Sequence, residues 1–301
     1  MKIFITGGSG FIGTHLSVFL LKLGHQVTAV GRSLRNHLAN QDHFTYIQAD
    51  TTEPGVWQQA LEDTDWIVNL AGATIFKRWT AKYKKQIRDS RILTTRYLVE
   101  ALPHNRDIVL CSTSATGYYG DSGDDILTES EPNGDDFLAG IAREWEHEAL
   151  KAKEKGVRVV IARFGIVLGR DGGAMQKMIP AFRSFVGGPL GNGRQWFPWI
   201  HIEDLISAML FVMENKKIEG SVNFCSPNPV RNHDLAKTLG HLLKRPSFMP
   251  APGFMIRLVL GEFGSTLLIS QRAVPEKLLG HQFGFCYPAL QEAIQNILKK
   301  N

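Results

Sequence analysis

The stretch FITGGSGFIG, residues 4–13, decides the fold of this chain. It starts with an apolar run typical of a buried strand, contains four glycines within seven residues, and leads into the helical pattern HLSVFLLKLG. Gly7, Gly10 and Gly13 have the spacing G-x-x-G-x-x-G between strand and helix. In this context one glycine permits a tight turn, one lets backbone approach a diphosphate, and one lets the helix pack on the strand. Because the helix N-terminus adds free N–H donors, the stretch predicts a dinucleotide-binding loop.

The end of the second predicted strand indicates which dinucleotide the loop holds. An acid at this point would accept a hydrogen bond from the ribose 2′-hydroxyl, whereas an arginine pairs with a 2′-phosphate. The sequence there is AVGRSLR, in which Arg32 follows Gly13 by 19 residues and has no acid beside it. We therefore predict NADP as the cofactor, with NADPH preferred over NADH. The residues that these two segments are predicted to bring to the cofactor are Gly7, Gly10, Phe11, Ile12, Gly13, Gly31, Arg32 and Ser33.

Apolar runs that alternate with helical stretches predict the fold class. The runs are KIFIT, QVTAV, FTYIQA, DWIVNLAG, DIVLCS, VRVVIARFG and SVNFCS. Strands that are apolar throughout are typical of a parallel sheet covered on both faces. We therefore predict an α/β protein with a Rossmann-like, doubly wound parallel sheet and a smaller C-terminal substrate lobe. Residues 1–230 would form the NAD(P)-binding domain, and 231–301 a smaller C-terminal domain that builds the substrate lobe together with the Gly- and Pro-rich segment 170–200.

Length and composition favour a globular protein in the cytoplasm. The chain has 301 residues, of which 44% are hydrophobic, and neither a signal-peptide pattern nor a membrane-spanning apolar run is present in it. Cys111, Cys225 and Cys286 lie far apart without paired spacing, which fits a reducing compartment. Ten histidines lack metal-ligand spacing, so no metal is predicted.

The charge pattern bears on the partners of the chain. The formal net charge is +5, but the basic residues are scattered, and only 77–85 forms a modest cluster. This distribution argues against nucleic acid as a partner. We expect a small-molecule substrate of unknown identity, no membrane partner, and a monomer or homodimer.

Five segments in chain order carry a family resemblance. They are TGGSGFIG at 6–13, NLAGA at 69–73, STSATGYYGD at 112–121, RFGIVLG at 163–169 and WIHIEDL at 199–205. Together they resemble the extended short-chain dehydrogenase/reductase superfamily, which contains NAD(P)-dependent sugar-nucleotide epimerases and dehydratases. The segment GGPLGNGRQWFPWIHIEDL and the sequence beyond 245 are similar to an atypical "epimerase family" subgroup with its own C-terminal domain, of the DUF1731 type.

The resemblance implies roles for further residues. Asp50 would lie near the adenine, and Ala71 and Gly72 beside the phosphates and ribose of the cofactor. Arg78 would close over the cofactor. Ser114 matches the serine that hydrogen-bonds the reacting hydroxyl or carbonyl in typical members. His201 and Asp204 match a segment near the active site.

One feature of typical members is missing from this chain. They carry Tyr-x-x-x-Lys on the helix after the serine, where the four-residue spacing lets the lysine lower the pKa of the tyrosine. The corresponding region here is GDDFLAGIAREWEHEA, in which the candidate pairs are Phe137 with Ile141 or Leu138 with Ala142. Neither pair can do acid–base work.

Three interpretations of the missing pair remain open. Tyr118 or Tyr119, close in sequence to Ser114, would replace the acid. Alternatively, hydride transfer would need only ordered polar groups, with Arg163 or Arg194 binding an anionic substrate. In both cases we expect an NADP-dependent oxidoreductase or epimerase acting on a carbonyl or hydroxyl compound. The third interpretation is a non-catalytic NADPH-binding regulatory or interaction protein, for example a factor related to cell division.

Further substrate contacts are expected from the segment that contains WFPW, residues 196–199. Its aromatic side chains would line an apolar pocket. The residues predicted to contact the substrate are Arg163, Arg194, Trp199 and His201.

Overall fold

A computed structural model describes residues 1–299 of the chain. Its strands are β1 (Lys2–Thr6), β2 (Gln26–Gly31), β3 (Phe44–Gln48), β4 (Trp66–Asn69), β5 (Val109–Ala115), β6 (Ile126–Leu127), β7 (Arg158–Phe164), β8 (Ile166–Gly169), β9 (Gly172–Gly173), β10 (Trp196–Phe197), β11 (Trp199–His201), β12 (Gly220–Phe224), β13 (Val230–Arg231) and β14 (Arg272–Ala273). The two longest, β5 and β7, are neighbours in the main sheet.

The helices cover the sheet and build the C-terminal part. They are α1 (Phe11–Lys22), α2 (Ala81–Glu100), α3 (Phe137–Leu150), α4 (Met175–Arg183), α5 (Ile202–Glu214), α6 (Asn232–Leu243), α7 (Gly253–Leu260), α8 (Glu262–Thr266), α9 (Glu276–Gly280) and α10 (Leu290–Leu298). Short 3₁₀ helices span Val56–Leu61, Thr116–Tyr119 and Lys151–Lys155.

The main sheet has seven strands in the order β12-β7-β5-β4-β1-β2-β3, and every pairing in it is parallel. The chain runs outward from β1 to β3 and then crosses back to β4, so the direction of winding reverses between β1 and β4. Ligands of such sheets bind in the crevice at the carboxyl ends of the strands at this switch point. The predicted Rossmann-like, doubly wound fold with a smaller C-terminal part is confirmed.

Successive residues along a strand pack into two different hydrophobic cores, one on each face of the sheet. Ile3, Val68 and Cys111 pack under α1 and α5, whereas Phe4 and Ile67 pack under α2 and α3. Strand side chains alternate between the two faces, and here both faces are covered by helices. This double burial explains why the strand sequences are apolar throughout.

The C-terminal part has its own core and also contacts the first half of the chain. Helices α4, α6 and α10 pack around Trp199. Phe263 of α8 packs on Trp79, with ring centroids 5.9 Å apart, and Glu262 accepts a hydrogen bond of 2.7 Å from Lys84 Nζ. These contacts hold α8 beside the start of α2, at the carboxyl edge of the sheet.

No helix among residues 1–299 combines the length and apolar character needed to cross a membrane. Within the same range, no group of three or more histidine, cysteine, aspartate or glutamate side chains is placed to hold a metal ion.

A nucleotide cleft and an adjoining apolar cavity

The glycine loop forms a cradle that side chains would fill. A Cβ at Gly13 would lie 2.5 Å from the Gly7 carbonyl oxygen, and a Cβ at Gly7 would lie 2.9 Å from the Leu70 carbonyl. Gly10 is the N-cap of α1, which has no side-chain cap and no acid in its first turn. The first N–H groups of α1 are therefore free to bind an anion, as a diphosphate requires.

A cavity of about 280 Å³ extends from this loop across the ends of β2 and β3. Arg32, Ser33 and Asp50 line this cavity. The Tyr46 hydroxyl donates a 2.9 Å hydrogen bond to the Ser33 carbonyl, which fixes the backbone there. Burial alone would raise the pKa of Asp50, but hydrogen bonds from Thr52 and the charge of Arg32 hold it below its ordinary value. An ionised Asp50 suits hydrogen bonding to the hydroxyl or amino groups of an adenosine.

A second cavity, of about 540 Å³, continues along the loop in the other direction. Both cavities are lined by Gly7, Gly10, Leu70 and Gly72, so they form one cleft. The exposed side chains of Lys77 and Lys177 lie on the wall of the second cavity. The Oγ1 of Thr113, also on this wall, is buried and has no hydrogen-bond partner among residues 1–299. Its unused hydrogen-bonding capacity fits a ligand that is bound in the cleft.

A third cavity of about 410 Å³ adjoins the cleft and is mostly apolar. The second and third cavities share Phe11, Ile12, Phe76, Phe164 and Gly173, so they are continuous. The remaining apolar side chains of the third cavity come from many elements, including Ile75, Leu138, Ile166, Leu190, Trp196, Phe197, Phe263, Leu267 and Ile269. We refer to this third cavity as the apolar cavity.

Comparison with known proteins identifies the family. Residues 3–225 match the model of the NAD dependent epimerase/dehydratase family. The chain belongs to this family. Residues 251–297 match a further model, a domain of unknown function named DUF1731. Both matches confirm the resemblance seen in the sequence, and the predicted boundary after residue 230 falls between them.

Relatives in the epimerase/dehydratase family match over almost the whole chain. The chloroplastic epimerase family protein SDR39U1 homolog of Arabidopsis thaliana is 38% identical over 99% of this chain and 87% of its own length. Epimerase family protein YfhF of Bacillus subtilis is 37% identical over 99% and 98% of the two chains. Human epimerase family protein SDR39U1, isoform 2, was solved with NADPH. It has a TM-score of 0.88 and 32% identity, and the match covers 99% of both chains. The chain described here is therefore an NAD(P)-binding protein of the short-chain dehydrogenase/reductase type.

The structure brings most of the predicted cofactor residues together. Eleven of the twelve line the cleft: Gly7, Gly10, Phe11, Ile12, Gly13, Gly31, Arg32, Ser33, Asp50, Ala71 and Gly72. Arg78 does not. It is exposed, and its side chain lies beside Gly261, 3.7 Å from the position that a Cβ there would take.

Ser114, the serine that matches the family motif, faces away from the apolar cavity. Its hydroxyl donates a 2.6 Å hydrogen bond to Glu146 on α3, and the side chain is buried. Strand side chains alternate, so its neighbours Thr113 and Ala115 point the other way and line the cleft and the apolar cavity. Family resemblance alone does not indicate which of these adjacent positions faces the ligand.

Tyr118 and Tyr119 contribute no side chain to the three cavities. The Tyr119 hydroxyl donates to Asn223 Oδ1 at 2.7 Å and accepts from Arg163 at 3.0 Å. Burial raises the pKa of Tyr119 to about 12, so its proton is held more tightly than in an ordinary tyrosine. The Tyr118 ring lies under the Arg163 guanidinium, whose central carbon is 3.5 Å from the ring centroid.

The four residues predicted to contact substrate also lie elsewhere. Arg163 is buried and donates to both oxygens of Glu146, each at 2.9 Å. Arg194 is exposed. Trp199 is buried and donates to the Asn228 carbonyl at 3.2 Å. Of the WFPW segment, the first three residues line the apolar cavity as expected, whereas Trp199 does not.

His201 and Asp204 stabilise the fold instead of lining a cavity. Asp204 accepts hydrogen bonds from the backbone N–H groups of Cys286 and Tyr287, at 2.7 and 2.9 Å. The His201 ring packs on the Tyr287 ring, with centroids 4.1 Å apart, and its Nδ1 accepts from the Glu203 N–H at the start of α5. Together they tie α5 to the segment before α10.

The burial of His201 predicts a pH-dependent stability. Desolvation lowers the pKa of His201 from 6.5 to about 4, so between these values the unfolded chain binds a proton that the folded chain does not. We expect the free energy of unfolding to fall as pH drops from about 6.5 to 4. Urea denaturation across this range should show a smaller fall in His201→Asn, which keeps a helix-capping side chain. His233→Asn, at an exposed histidine, should behave like wild type. An equal dependence of the free energy of unfolding on pH in all three proteins would contradict the assignment of this effect to His201.

Helix α3 brings no acid or base to the apolar cavity. Leu138 lines the cavity and Ala142 is buried, so this pair occupies the face where an active-site tyrosine and lysine would act. The charged residue that does line the cavity is Arg91 of α2, which the sequence analysis missed. The sequence does contain an indication of its position. Arg91 lies four residues after Ile87 and seven before Leu98, a spacing that places it on the buried face of the helix.

Proposed function

We propose that the protein binds NADPH in preference to NADH and transfers hydride from it to a carbonyl compound in the apolar cavity or, in the reverse direction, from a hydroxyl compound to NADP⁺. The observation that carries the cofactor preference is the position of Arg32, which lines the cleft at the end of β2 with Ser33 beside it. The chemistry of a guanidinium and a hydroxyl suits a 2′-phosphate. The similar human protein, which was solved with NADPH, supports the proposal.

Different residues of this chain would bind different parts of the cofactor. The N–H groups at the start of α1 would bind the diphosphate, and Lys77 and Lys177 would add positive charge beside it. Asp50 would accept hydrogen bonds from the adenosine. When bound, NADPH supplies the hydride. The apolar cavity would hold the acceptor and exclude water from it.

Replacing Arg32 tests the cofactor preference. A charge-assisted hydrogen bond contributes about 1.5–3 kcal/mol, so Arg32→Gln should weaken NADPH binding roughly ten- to a hundred-fold. NADH lacks the 2′-phosphate, and its affinity should not change. Fluorescence titration with both cofactors measures the effect. Arg35→Gln is the matched control, because Arg35 is exposed, three residues away and outside the cleft.

Two results would contradict the preference. The first is equal affinity of the wild-type protein for NADPH and NADH. The second is an equal loss of both affinities in Arg32→Gln, which would indicate a general effect on the cleft.

A second candidate function is NADPH binding without turnover, in a regulatory protein. Two observations favour it. The hydroxyls of Ser114 and Tyr119 are hydrogen-bonded to other side chains, and α3 places the apolar Leu138 at the cavity where an acid would be needed. An NADPH-oxidation screen over carbonyl compounds separates the candidates. Turnover supports the enzyme, whereas tight cofactor binding without turnover of any compound supports the regulator.

The same screen tests the tyrosines as proton donors. Tyr118→Phe and Tyr119→Phe should each abolish turnover if that hydroxyl is the acid. Activity that survives both substitutions would exclude them and direct the search to Thr113 and Thr116, whose side chains line the cleft and the apolar cavity.

A further inference from the structure

Arg91 forms part of the wall of the apolar cavity. Its Nη1 donates to the carbonyls of Ala73 and Ile87, at 3.1 and 2.9 Å. Its central carbon lies 5.3 Å from the centroid of the Trp145 ring. No residue among 1–299 accepts a hydrogen bond from Nε or Nη2 of Arg91. These two nitrogens form the edge of a guanidinium that pairs with both oxygens of a carboxylate.

The charge of Arg91 has no counterion among the residues that the structure describes, 1–299. No acidic side chain among residues 1–299 forms an ion pair with it, and none lines the apolar cavity. Burial lowers the pKa of Arg91 to about 10, which still leaves the group cationic at neutral pH. Arg91 is partly buried, and a partly desolvated charge without a partner is destabilising. An anion delivered by a ligand would remove this cost.

The rest of the cavity wall indicates the polarity of the ligand apart from its anionic group. Among residues 1–299, the other side chains with polar groups on this wall are neutral: Thr116, Gln195, Trp196, Asn232, Thr266 and Gln271. A sugar nucleotide would bring a diphosphate and many hydroxyls into this space, and most would find no partner. A volume of about 410 Å³ lies in the range of small-molecule sites. The wall therefore suits an apolar body with one anionic group.

Arg91 also lies close to the cofactor cleft. A Cβ at Gly72, which lines the cleft, would lie 3.1 Å from the central carbon of the Arg91 guanidinium. A ligand held by Arg91 is thus next to the cleft and not at the far end of the cavity.

We propose that the substrate of this site is an apolar compound that carries a carboxylate, that Arg91 binds this carboxylate through its Nε and Nη2 edge, and that sugar nucleotides are not substrates. The proposal rests on the proposed function, because it assigns the substrate class of the same cavity.

The test compares three probes on the full chain, with and without saturating NADPH, by calorimetry. They are 4-phenylbutanoate, its neutral analogue 4-phenylbutanamide, and UDP-glucose. The carboxylate should bind at least tenfold more tightly than the amide, and UDP-glucose should give no measurable binding to the NADPH-loaded protein. Equal affinity for carboxylate and amide, or tighter binding of UDP-glucose, would overturn the proposal. These comparisons use the wild-type protein, so they hold even if an Arg91 variant does not fold.

Variants then assign the effect to Arg91. Arg91→Gln should weaken 4-phenylbutanoate binding roughly ten- to a hundred-fold and leave the amide unchanged. Arg88→Gln, on the exposed side of the same helix, should change neither. A folded Arg91→Gln protein that keeps full preference for the carboxylate would refute the role of Arg91.

NADPH binding, followed by fluorescence in the same samples, separates the two proposals. Carboxylate preference without NADPH binding would sink the proposed function alone. NADPH binding without carboxylate preference would sink the present inference alone.

Discussion

Glu146→Gln is expected to lower the free energy of unfolding by about 3–5 kcal/mol. Glu146 is buried on α3 and accepts hydrogen bonds from Nε and Nη2 of Arg163, each at 2.9 Å, and from the Ser114 hydroxyl at 2.6 Å. The substitution leaves the Arg163 guanidinium charged and buried without a carboxylate. Urea denaturation at neutral pH measures the loss.

Glu144→Gln is the matched control on the same helix. Glu144 pairs with Arg88, but both side chains are partly exposed to solvent. Such a pair contributes about 0–1 kcal/mol, so this variant should be close to wild type. A loss below about 1 kcal/mol in Glu146→Gln would show that the buried pair is not a major source of stability. Restored stability in the double variant Arg163→Met, Glu146→Leu would support the interpretation, since an apolar pair leaves no buried charge.

Gly7→Ala should both destabilise the fold and weaken cofactor binding. Gly7 has φ of 67°, and an added Cβ would lie 2.9 Å from the backbone of Leu70. The left-handed conformation costs about 1–2 kcal/mol. The added Cβ also forces the loop after β1 away from the loop after β4, which contains Leu70, and this separation costs about 1–3 kcal/mol more. These loops form the two sides of the cleft, so NADPH affinity should fall roughly tenfold or more.

Gly24→Ala isolates the backbone contribution. Gly24 has φ of 80°, but a Cβ there would meet no atom within 4 Å. This variant should lose only the conformational part of the stability, about 1–2 kcal/mol, and keep its NADPH affinity. Thermal unfolding and fluorescence titration measure both quantities. Equal losses in the two variants would show that contact with Leu70 is unimportant.

The cleft residues of the glycine loop and the end of β2 could be predicted because they are close together in sequence. Gly7 and Gly10 lie in the turn after β1, Gly13 lies in the first turn of α1, and Arg32 directly follows β2, so strand order alone brings them together. Arg78 was the exception among the predicted cofactor residues. It lies on a loop whose course depends on contacts with the C-terminal part, near Gly261.

The rest of the site depends on partners that are distant in sequence. Arg163 was expected to bind a substrate anion, but Glu146, on a different element, neutralises it. Ser114 and Thr113 are adjacent, and a register difference of one residue decides which of them faces the cleft. Arg91 was missed for the converse reason, since only the folded structure shows that no acid pairs with it.

The position of α8 has a consequence for how this protein could diversify. In the proposed function, cofactor choice depends on the loop after β1 and the end of β2, whereas Phe263, Thr266 and Leu267 close the apolar cavity from the C-terminal part. The segment 253–271 contributes to the apolar cavity and not to the cleft, so it can vary without changing the residues that line the cleft. A chimera that receives residues 253–271 of a relative should change its selectivity among apolar carboxylates, while the retained Arg91 keeps the requirement for a carboxylate and the cleft keeps its own selectivity for the dinucleotide.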